Sequence, residues 1–261
     1  MSEITVLLEN TKPEQSDFET EHGLSFYVET AQSKFIFDCG HTNLAWKNAK
    51  MLNVDLSAVN FVVLSHSHYD HAGGFPSLLK FVVPKIIYTG QNFWREKFSI
   101  DEENFLYKGC GFTEKNLFDW KIQQKICNDI LRLDNDSWLV GNILKRYEFE
   151  TIPKKFVFGK NKIADDFSDE IILILREDDG VAIITGCAHR GILNIAATVK
   201  ERLKLPIKSI IGGIHLKGAA SERIDKTFSE LKNFGVKKFF LCHCSGLEKH
   251  KIMTGSKIKI E

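Results

Sequence analysis

The chain has 261 residues, of which 43% are hydrophobic and 26% are charged, and its formal net charge is +1. This balance is ordinary for a globular protein with a sizeable core, and it excludes a global field that would attract nucleic acid or an anionic membrane. No run of about 18 apolar residues and no basic, apolar leader are present, so we expect a cytoplasmic protein that does not bind membranes. The six cysteines are scattered along the chain, which favours reduced thiols.

The N-terminal part of the chain alternates strand-like and helix-like segments. Its strands are short and rich in β-branched and aromatic residues, and polar or glycine-containing turns separate them. The strand at 60–64 is apolar almost throughout and ends directly before a cluster of histidines. We predict strands at 4–9, 24–30, 34–38, 60–64 and 85–89, and helices at 43–52 and 75–81.

Residues 91–145 differ from the segments on either side. They are rich in Phe, Trp, Lys and Asn and have mixed periodicity, so we predict an insertion or cap on the body of the protein. An amphipathic helix is predicted at 117–131 within it. The side chains of Trp94, Trp120 and Trp138 either line a substrate pocket or pack this segment onto the body.

The second half of the chain restarts the alternation of strands and helices. Residues 177–180, Glu-Asp-Asp-Gly, lie between two apolar runs and predict a hairpin. Two β-sheets packed face to face, with helices on both outer surfaces, satisfy the order of elements in both halves. We therefore predict an α/β fold in one domain, residues 1–261. The further predicted strands are 170–176, 181–185, 207–211 and 237–241, and the helices are 192–203 and 221–234.

Four potential metal ligands follow the strand at 60–64 within six residues: His66, His68, Asp70 and His71. Side chains two residues apart on an extended chain point to the same face, so His66 and His68 can hold one cation. The turn that follows can direct Asp70 and His71 toward a second position. Imidazole and carboxylate ligands suit Zn, Fe or Mn. The chain lacks an HExxH helix and a CxxC pair, so a catalytic metal site is favoured over a structural one and over a chance cluster of surface histidines.

Three later histidines, His189, His215 and His243, also follow apolar strands. A lone histidine after a strand is more often a satisfied polar residue than a ligand, but a cluster elsewhere in the chain raises the case for each. His189 and His243 are the stronger candidates.

Three cysteines lie beside the same loops. Cys187, Cys242 and Cys244 are each either metal ligands, residues that orient a ligand, or small buried apolar side chains. The last of these roles is favoured for Cys242 and Cys244.

The HxHxDH pattern followed by Gly-Gly resembles the metallo-β-lactamase superfamily, whose members share a four-layer αβ/βα sandwich. Further segments are similar to the branch named after the dihydropterin ribofuranosyl-aminobenzene phosphate synthase of methanopterin biosynthesis. The matching segments extend over most of the chain. They are residues 9–11, 22–25, 37–40, 140–143, 149–150, 185–189, 212–216 and 243–246.

This resemblance implies two divalent metal ions, with Zn preferred and Mn or Fe as alternatives. It assigns His66, His68 and His189 to one ion. It assigns Asp70, His71 and His243 to the other ion.

The resemblance also marks a departure at Cys187. Superfamily enzymes usually place a bridging Asp after the strand that ends here at Thr185-Gly186, and this chain has Cys187 there. Asp169 is the alternative ligand, or a residue that orients one.

Other residues are candidates for catalysis and substrate contact. Asp70 is expected to orient the nucleophile as well as to bind metal, and His215 is a catalytic candidate. Asn10 and His22 either contact the substrate or cap loops.

Three functions are compatible with these residues. The first is a metal-dependent hydrolase that uses an activated water on a small phosphate ester, lactone or thioester. The second, implied by the branch name, is a transferase that joins a dihydropterin pyrophosphate to an aminobenzene ribosyl phosphate. The third is a non-catalytic metal-binding sensor. All three predict a small-molecule ligand without nucleic acid, and the sequence does not define the oligomeric state.

Overall fold

Two mixed β-sheets that pack against each other through apolar faces form the centre of the protein. The computed structural model describes residues 2–102 and 104–261. The first sheet has the strand order β17 (Lys257–Ile260), β1 (Ser2–Leu8), β2 (Ser25–Glu29), β3 (Lys34–Phe37), β4 (Phe61–Val63), β5 (Ile86–Gly90) and β8 (Gln123–Cys127). The second has the order β16 (Lys238–Leu241), β15 (Ile207–Gly212), β14 (Gly180–Thr185), β13 (Ile172–Glu177), β10 (Ser137–Val140) and β9 (Ile130–Arg132).

Helices cover the outer face of each sheet. The helix α1 (Leu44–Met51) packs Ala45, Trp46 and Ala49 on the first sheet, whereas α5 (Ile192–Leu203) and α6 (Ser221–Asn233) pack on the second. A separate apolar core lies between the sheets. The order helix, sheet, sheet, helix confirms the predicted four-layer αβ/βα sandwich. The remaining helices are α2 (Tyr69–Ala72), α3 (Phe75–Leu78) and α4 (Glu114–Asp119).

Parallel strands run side by side in the centre of both sheets. β3, β4, β5 and β8 are parallel neighbours in the first sheet, and β14, β15 and β16 are parallel neighbours in the second. The carboxyl ends of parallel strands meet at one edge of a sheet, so the loops that follow them are close together. This edge carries the predicted ligands.

A third, smaller antiparallel sheet lies over that edge. It pairs segments from two distant parts of the chain, both next to the cleft at the metal-ligand loops. The backbone N–H of Tyr69 donates to the carbonyl of Lys108, which ties this sheet to the histidine loop. Its strands, in order, are β12 (Ile163–Ala164), β11 (Phe156–Phe158), β6 (Lys97–Asp101) and β7 (Asn104–Tyr107).

The helix predicted at 117–131 is wrong. The helix α4 ends at Asp119, Lys121 adopts a left-handed backbone with φ of +59°, and the chain then forms the strands β8 and β9. β8 is an edge strand, and most of its side chains are only partly buried or exposed. Its strand conformation depends on backbone pairing with β5, which leaves little apolar pattern in the sequence.

The segment 91–145, predicted as a cap, is therefore divided in the structure. β6 and β7 belong to the small sheet, whereas β8, β9 and β10 extend the two main sheets. Trp94 and Trp120 pack against the apolar cluster under α1, and Trp138 packs against the cluster under α5. These tryptophans pack the segment onto the body and do not line the main cleft among the described residues.

Within the described parts of the chain, none of the helices combines the length and the apolar character that crossing a bilayer requires.

Candidate metal centre

Four loops that follow parallel strands converge at one edge of the two main sheets. The loop after β4 contributes His66, His68, Asp70 and His71. The loop after β14 contributes Cys187 and His189, and the loop after β15 contributes His215. The loop after β16 contributes His243 and Cys244.

His66, His68 and His189 form the first group. Their donor atoms lie within 4.8 Å of one another, and the three side chains are buried. Burial lowers the pKa of all three imidazoles well below the usual value, so they are neutral. Among the described residues, His66 Nε2, His68 Nε2 and both ring nitrogens of His189 have no hydrogen-bond partner. Unpaired buried nitrogens cost about 1–3 kcal/mol each, so this arrangement fits a cation held by neutral imidazoles.

The second group surrounds His71. Its Nε2 atom lies 3.1 Å from His243 Nε2 and 3.2 Å from Cys187 Sγ. Asp70 Oδ2 lies 3.7 Å from the same nitrogen and 3.4 Å from His243 Nε2. Cys187 also shares a compact group with His66 and His71, which places the thiol between the two sets of donors. The family resemblance implies a bridging Asp at this place in related enzymes, and the thiol of Cys187 occupies that place here.

The carboxylate of Asp38 orients ligands of both groups. Its Oδ2 atom accepts hydrogen bonds from His71 Nδ1 and from the hydroxyl of Ser65, both at 2.7 Å. The Ser65 hydroxyl in turn lies 2.9 Å from His66 Nδ1. These contacts direct the Nε2 atoms of both imidazoles into the centre. Burial opposes protonation of His71, but Asp38 and Asp70 raise its pKa to about 9.

Asp169 lies under the histidine loop and is absent from the compact donor groups formed by the described residues. Its Oδ2 atom accepts from the backbone N–H and the hydroxyl of Ser67 at 2.8 and 2.9 Å. Its Oδ1 atom accepts from the buried Lys97 Nζ at 2.7 Å. Both oxygens are therefore occupied by hydrogen bonds, and those from Ser67 hold the loop that carries His66 and His68.

Asn10 and His22 both contact the His243 side chain. The Nδ1–H group of His243 donates to Asn10 Oδ1 at 3.0 Å, which leaves its Nε2 atom directed at the centre. His22 stacks on the His243 ring and places Nε2 3.2 Å from Asp70 Oδ2. Asn10 thus holds the His243 ring, whereas the half-exposed His22 lines the cleft.

The structure adds Cys244, which the sequence favoured as an apolar side chain. It lies with Cys187 and His215 in a third compact group whose donor atoms are within 4.8 Å. Burial raises the pKa of Cys244, but hydrogen bonds with Cys187 and His215 outweigh it and hold that pKa well below the usual value. His-Cys-Ser after a strand was the available signal, but sequence alone does not separate Cys242, which points into the core, from Cys244.

Further residues that the sequence did not indicate support His189. The carboxylate of Glu170 accepts the backbone N–H groups of His189 and Arg190 at 2.7 and 2.9 Å. The ring of Phe167 stacks on the His189 imidazole with centroids 3.9 Å apart. Lys97 Nζ also lies over the Phe167 ring, 4.1 Å from its centroid.

Several non-glycine residues at the centre have left-handed backbones. φ is +60° at Asp38, +57° at Ala188, +51° at His215 and +54° at His243. This conformation costs free energy for residues with a Cβ and is concentrated at functional sites. The strain is consistent with loops shaped to aim ligands rather than to maximise stability.

A cleft of about 340 Å³ opens onto both donor groups. The small sheet supplies Ser99, Asp101 and Phe156 to its wall. Three lysines also line it, one from each of three segments: Lys108, Lys155 and Lys217. Cations at the mouth of a cleft attract anionic ligands.

A sequence model described as the metallo-beta-lactamase superfamily matches residues 19–95, which include the HxHxDH motif. The four-layer fold and the converging loops extend this agreement to the rest of the chain. The chain is thus similar to the metallo-β-lactamase superfamily in this motif-bearing segment and in its fold.

Similar proteins cover almost the whole chain. The 7,8-dihydropterin-6-methyl-4-(beta-D-ribofuranosyl)-aminobenzene-5'-phosphate synthase of Methanocaldococcus jannaschii is 29% identical over 265 residues, with 94% of this chain and 88% of the synthase covered. An uncharacterised protein of the same organism is 26% identical, with 94% and 91% covered. The crystal structure of Tm1679, described as a metal-dependent hydrolase of the beta-lactamase superfamily, is 28% identical. It has a TM-score of 0.84, with 100% of this chain and 99% of that chain covered. The branch suggested by the sequence motifs is thus supported.

Proposed function

We propose that this protein is a metal-dependent hydrolase of small phosphate esters that uses two divalent metal ions, with Zn preferred. The observation that carries the substrate class is the set of three lysines around a cleft that ends at the donor groups. A lactone or a neutral thioester has no charge for these lysines to pair with, whereas a phosphate does.

Two sets of side chains would hold the ions. His66, His68 and His189 supply neutral imidazoles for one. Asp70, His71 and His243, with Cys187 between the sets, supply the other. Bound divalent cations in such sites lower the pKa of a water molecule and polarise a phosphoryl oxygen.

The remaining contributions come from the chain itself. Burial opposes ionisation of Asp70, but His71 and its hydrogen-bonding neighbours hold the pKa of that carboxyl well below the usual value, so it accepts hydrogen bonds as an anion. Its Oδ2 atom can orient a water molecule, and His22 Nε2, 3.2 Å away and half-exposed, can pass a proton to solvent. Lys108, Lys155 and Lys217 would bind and orient the phosphate.

A transferase is the second candidate, supported by the similarity to the pterin-linked synthase along 94% of this chain. The same donor groups and lysines would position a phosphorylated electrophile, and an arylamine would replace water as the nucleophile. The two functions therefore differ in the nucleophile that enters the cleft.

Metal analysis combined with turnover tests the proposal. We expect near two metal ions per chain and hydrolysis of aryl phosphate esters. His189→Ala should lose the hydrolysis and one of the two ions, since His189 belongs to the first set only. Lys155→Ala should raise KM about tenfold by removing one charge-assisted contact, whereas Lys160→Ala, an exposed lysine outside the cleft, should not.

Other outcomes separate the alternatives. Two metals, no hydrolysis and coupling of a dihydropterin pyrophosphate to an arylamine would replace the hydrolase with the transferase. Two metals without either reaction would favour a sensor. Absence of metal after reconstitution would contradict all three.

A further inference from the structure

We propose that Cys187, His215 and Cys244 form a separate, sulfur-rich subsite that binds a thiophilic divalent cation such as Zn²⁺ or Cd²⁺. It goes beyond the proposed hydrolase, because neither donor set of that proposal uses His215 or Cys244. Cys187 is the residue that the subsite shares with the second set.

Three adjacent parallel strands build the subsite. Cys187 follows β14, His215 follows β15 and Cys244 follows β16, so the register of the second sheet places the three side chains together. Their donor atoms all lie within 4.8 Å of one another. Cys187 and Cys244 are 3% and 8% exposed, and both line the wall of the cleft. A cation could therefore reach three donors from the cleft side.

The backbone leaves room for the Cys244 sulfur. A Cβ atom at Gly213 would lie 2.3 Å from the carbonyl oxygen of Gly186 and 2.7 Å from Cys244 Sγ, so a glycine is required between this backbone and the thiol. His215 has a left-handed backbone with φ of +51°, and its buried Nδ1 atom has no hydrogen-bond partner among the described residues. Strained backbone and an unpaired buried nitrogen in one loop are costs that a bound cation would offset.

A purely apolar role does not account for these cysteines. Cys242, two residues before Cys244, belongs to the apolar core between the sheets. Cys187 and Cys244 belong to none of the apolar clusters formed by the described residues. Two thiols and one imidazole form a soft donor set, which favours Zn²⁺ or Cd²⁺ over Mg²⁺ or Mn²⁺.

Cobalt substitution tests the subsite directly. The metal-free full-length protein is titrated with Co²⁺ under reducing conditions, and the near-ultraviolet thiolate-to-cobalt charge-transfer band is measured. We expect a band whose intensity per chain falls to about half in Cys244→Ser, since one of two thiolates is lost. Cys242→Ala is the matched control, because it removes a neighbouring thiol that faces the core, and it should leave the band unchanged.

The two sets of the proposed function are tested separately, by the metal content and turnover of His66→Ala, which removes a donor of the first set. If Cys244→Ser leaves the charge-transfer band unchanged, the subsite is wrong while the hydrolase proposal stands. If His66→Ala keeps its metal content and turnover while Cys244→Ser halves the charge-transfer band, the hydrolase proposal is wrong while the subsite stands. A Cys187–Cys244 disulfide that persists under the reducing conditions would also overturn the subsite.

A second measurement uses the wild-type chain and covers the case in which Cys244→Ser does not fold. Metal-free protein is alkylated briefly with and without Cd²⁺, and each cysteine is quantified by peptide mass spectrometry. Cys244 lines the cleft, so we expect it to be modified without metal and protected with it. Cys244 that is modified equally in both samples would contradict the proposal.

Discussion

Asp169 Oδ2 accepts two hydrogen bonds from Ser67, one from its backbone N–H at 2.8 Å and one from its hydroxyl at 2.9 Å. Ser67 lies between His66 and His68 in the chain, so one buried carboxylate fixes the segment that presents both imidazoles. The other Asp169 oxygen is held by Lys97 of the small sheet. Loop, small sheet and metal centre are thus joined through a single side chain.

Asp169→Asn should lower metal affinity about 10–100-fold, because the amide loses the charge that holds Ser67 and Lys97 while the ligands themselves remain. Isothermal titration with Zn²⁺ measures this. Asp166→Asn is the control, since Asp166 is in the same loop but forms an exposed ion pair with Arg95. Equal affinities in the two variants would show that Asp169 does not orient the histidine loop.

Lys97→Met should destabilise the fold by about 3–5 kcal/mol, because Asp165 and Asp169 are left as buried carboxylates without their cation. Urea unfolding followed by circular dichroism gives the free energy. Adding Asp165→Asn to Lys97→Met should recover part of the loss. Lys208→Met removes the partner of the exposed Asp179 and should cost about 0–1 kcal/mol. If Lys97→Met lowered the free energy of unfolding by no more than Lys208→Met does, the prediction would be contradicted.

Asp38→Asn should weaken both metal sets, since Asp38 holds His71 directly and His66 through Ser65. We expect a loss of about 10–100-fold in affinity for each ion. Equilibrium dialysis followed by elemental analysis gives the number of ions bound per chain at each free-metal concentration. Asp55→Asn, a substitution at an exposed turn, should bind both ions as the wild type does. If Asp38→Asn lost only one of the two ions, Asp38 would support a single set of donors, and the prediction for both sets would be contradicted.

Glu150→Ala should cost about 1–2 kcal/mol of stability through the first turn of α5. Its two carboxylate oxygens accept the backbone N–H groups of Leu193 and Asn194 at 2.9 and 2.8 Å. Thermal and urea unfolding measure the change. Glu201→Ala, near the other end of α5 in an exposed pair with Arg146, should change stability by less than about 1 kcal/mol. The same small effect in both variants would show that Glu150 does not cap the helix.

The local sequence pattern was sufficient to predict helices and strands whose side chains are buried at regular intervals. The strand before His66 and the helix at 192–203 were predicted from apolar runs and periodicity, and the structure has β4 and α5 there. The segment 117–131 failed because β8 and β9 are edge strands, whose conformation comes from backbone pairing. β8 pairs with β5, which is distant in the chain, and β9 pairs with β10, the next strand. Such pairing leaves no periodic burial to detect.

By itself, the sequence determined which side chains could bind metal in the HxHxDH segment, because six consecutive residues carry both the donor chemistry and the spacing. Only the tertiary structure decided how the distant donors are grouped. The register of the parallel strands brings Cys187, His215 and Cys244 within 4.8 Å, and a salt bridge from Lys97 occupies Asp169. The physical reason is that distances between loops are set by sheet pairing and packing, which a local pattern of residues does not encode.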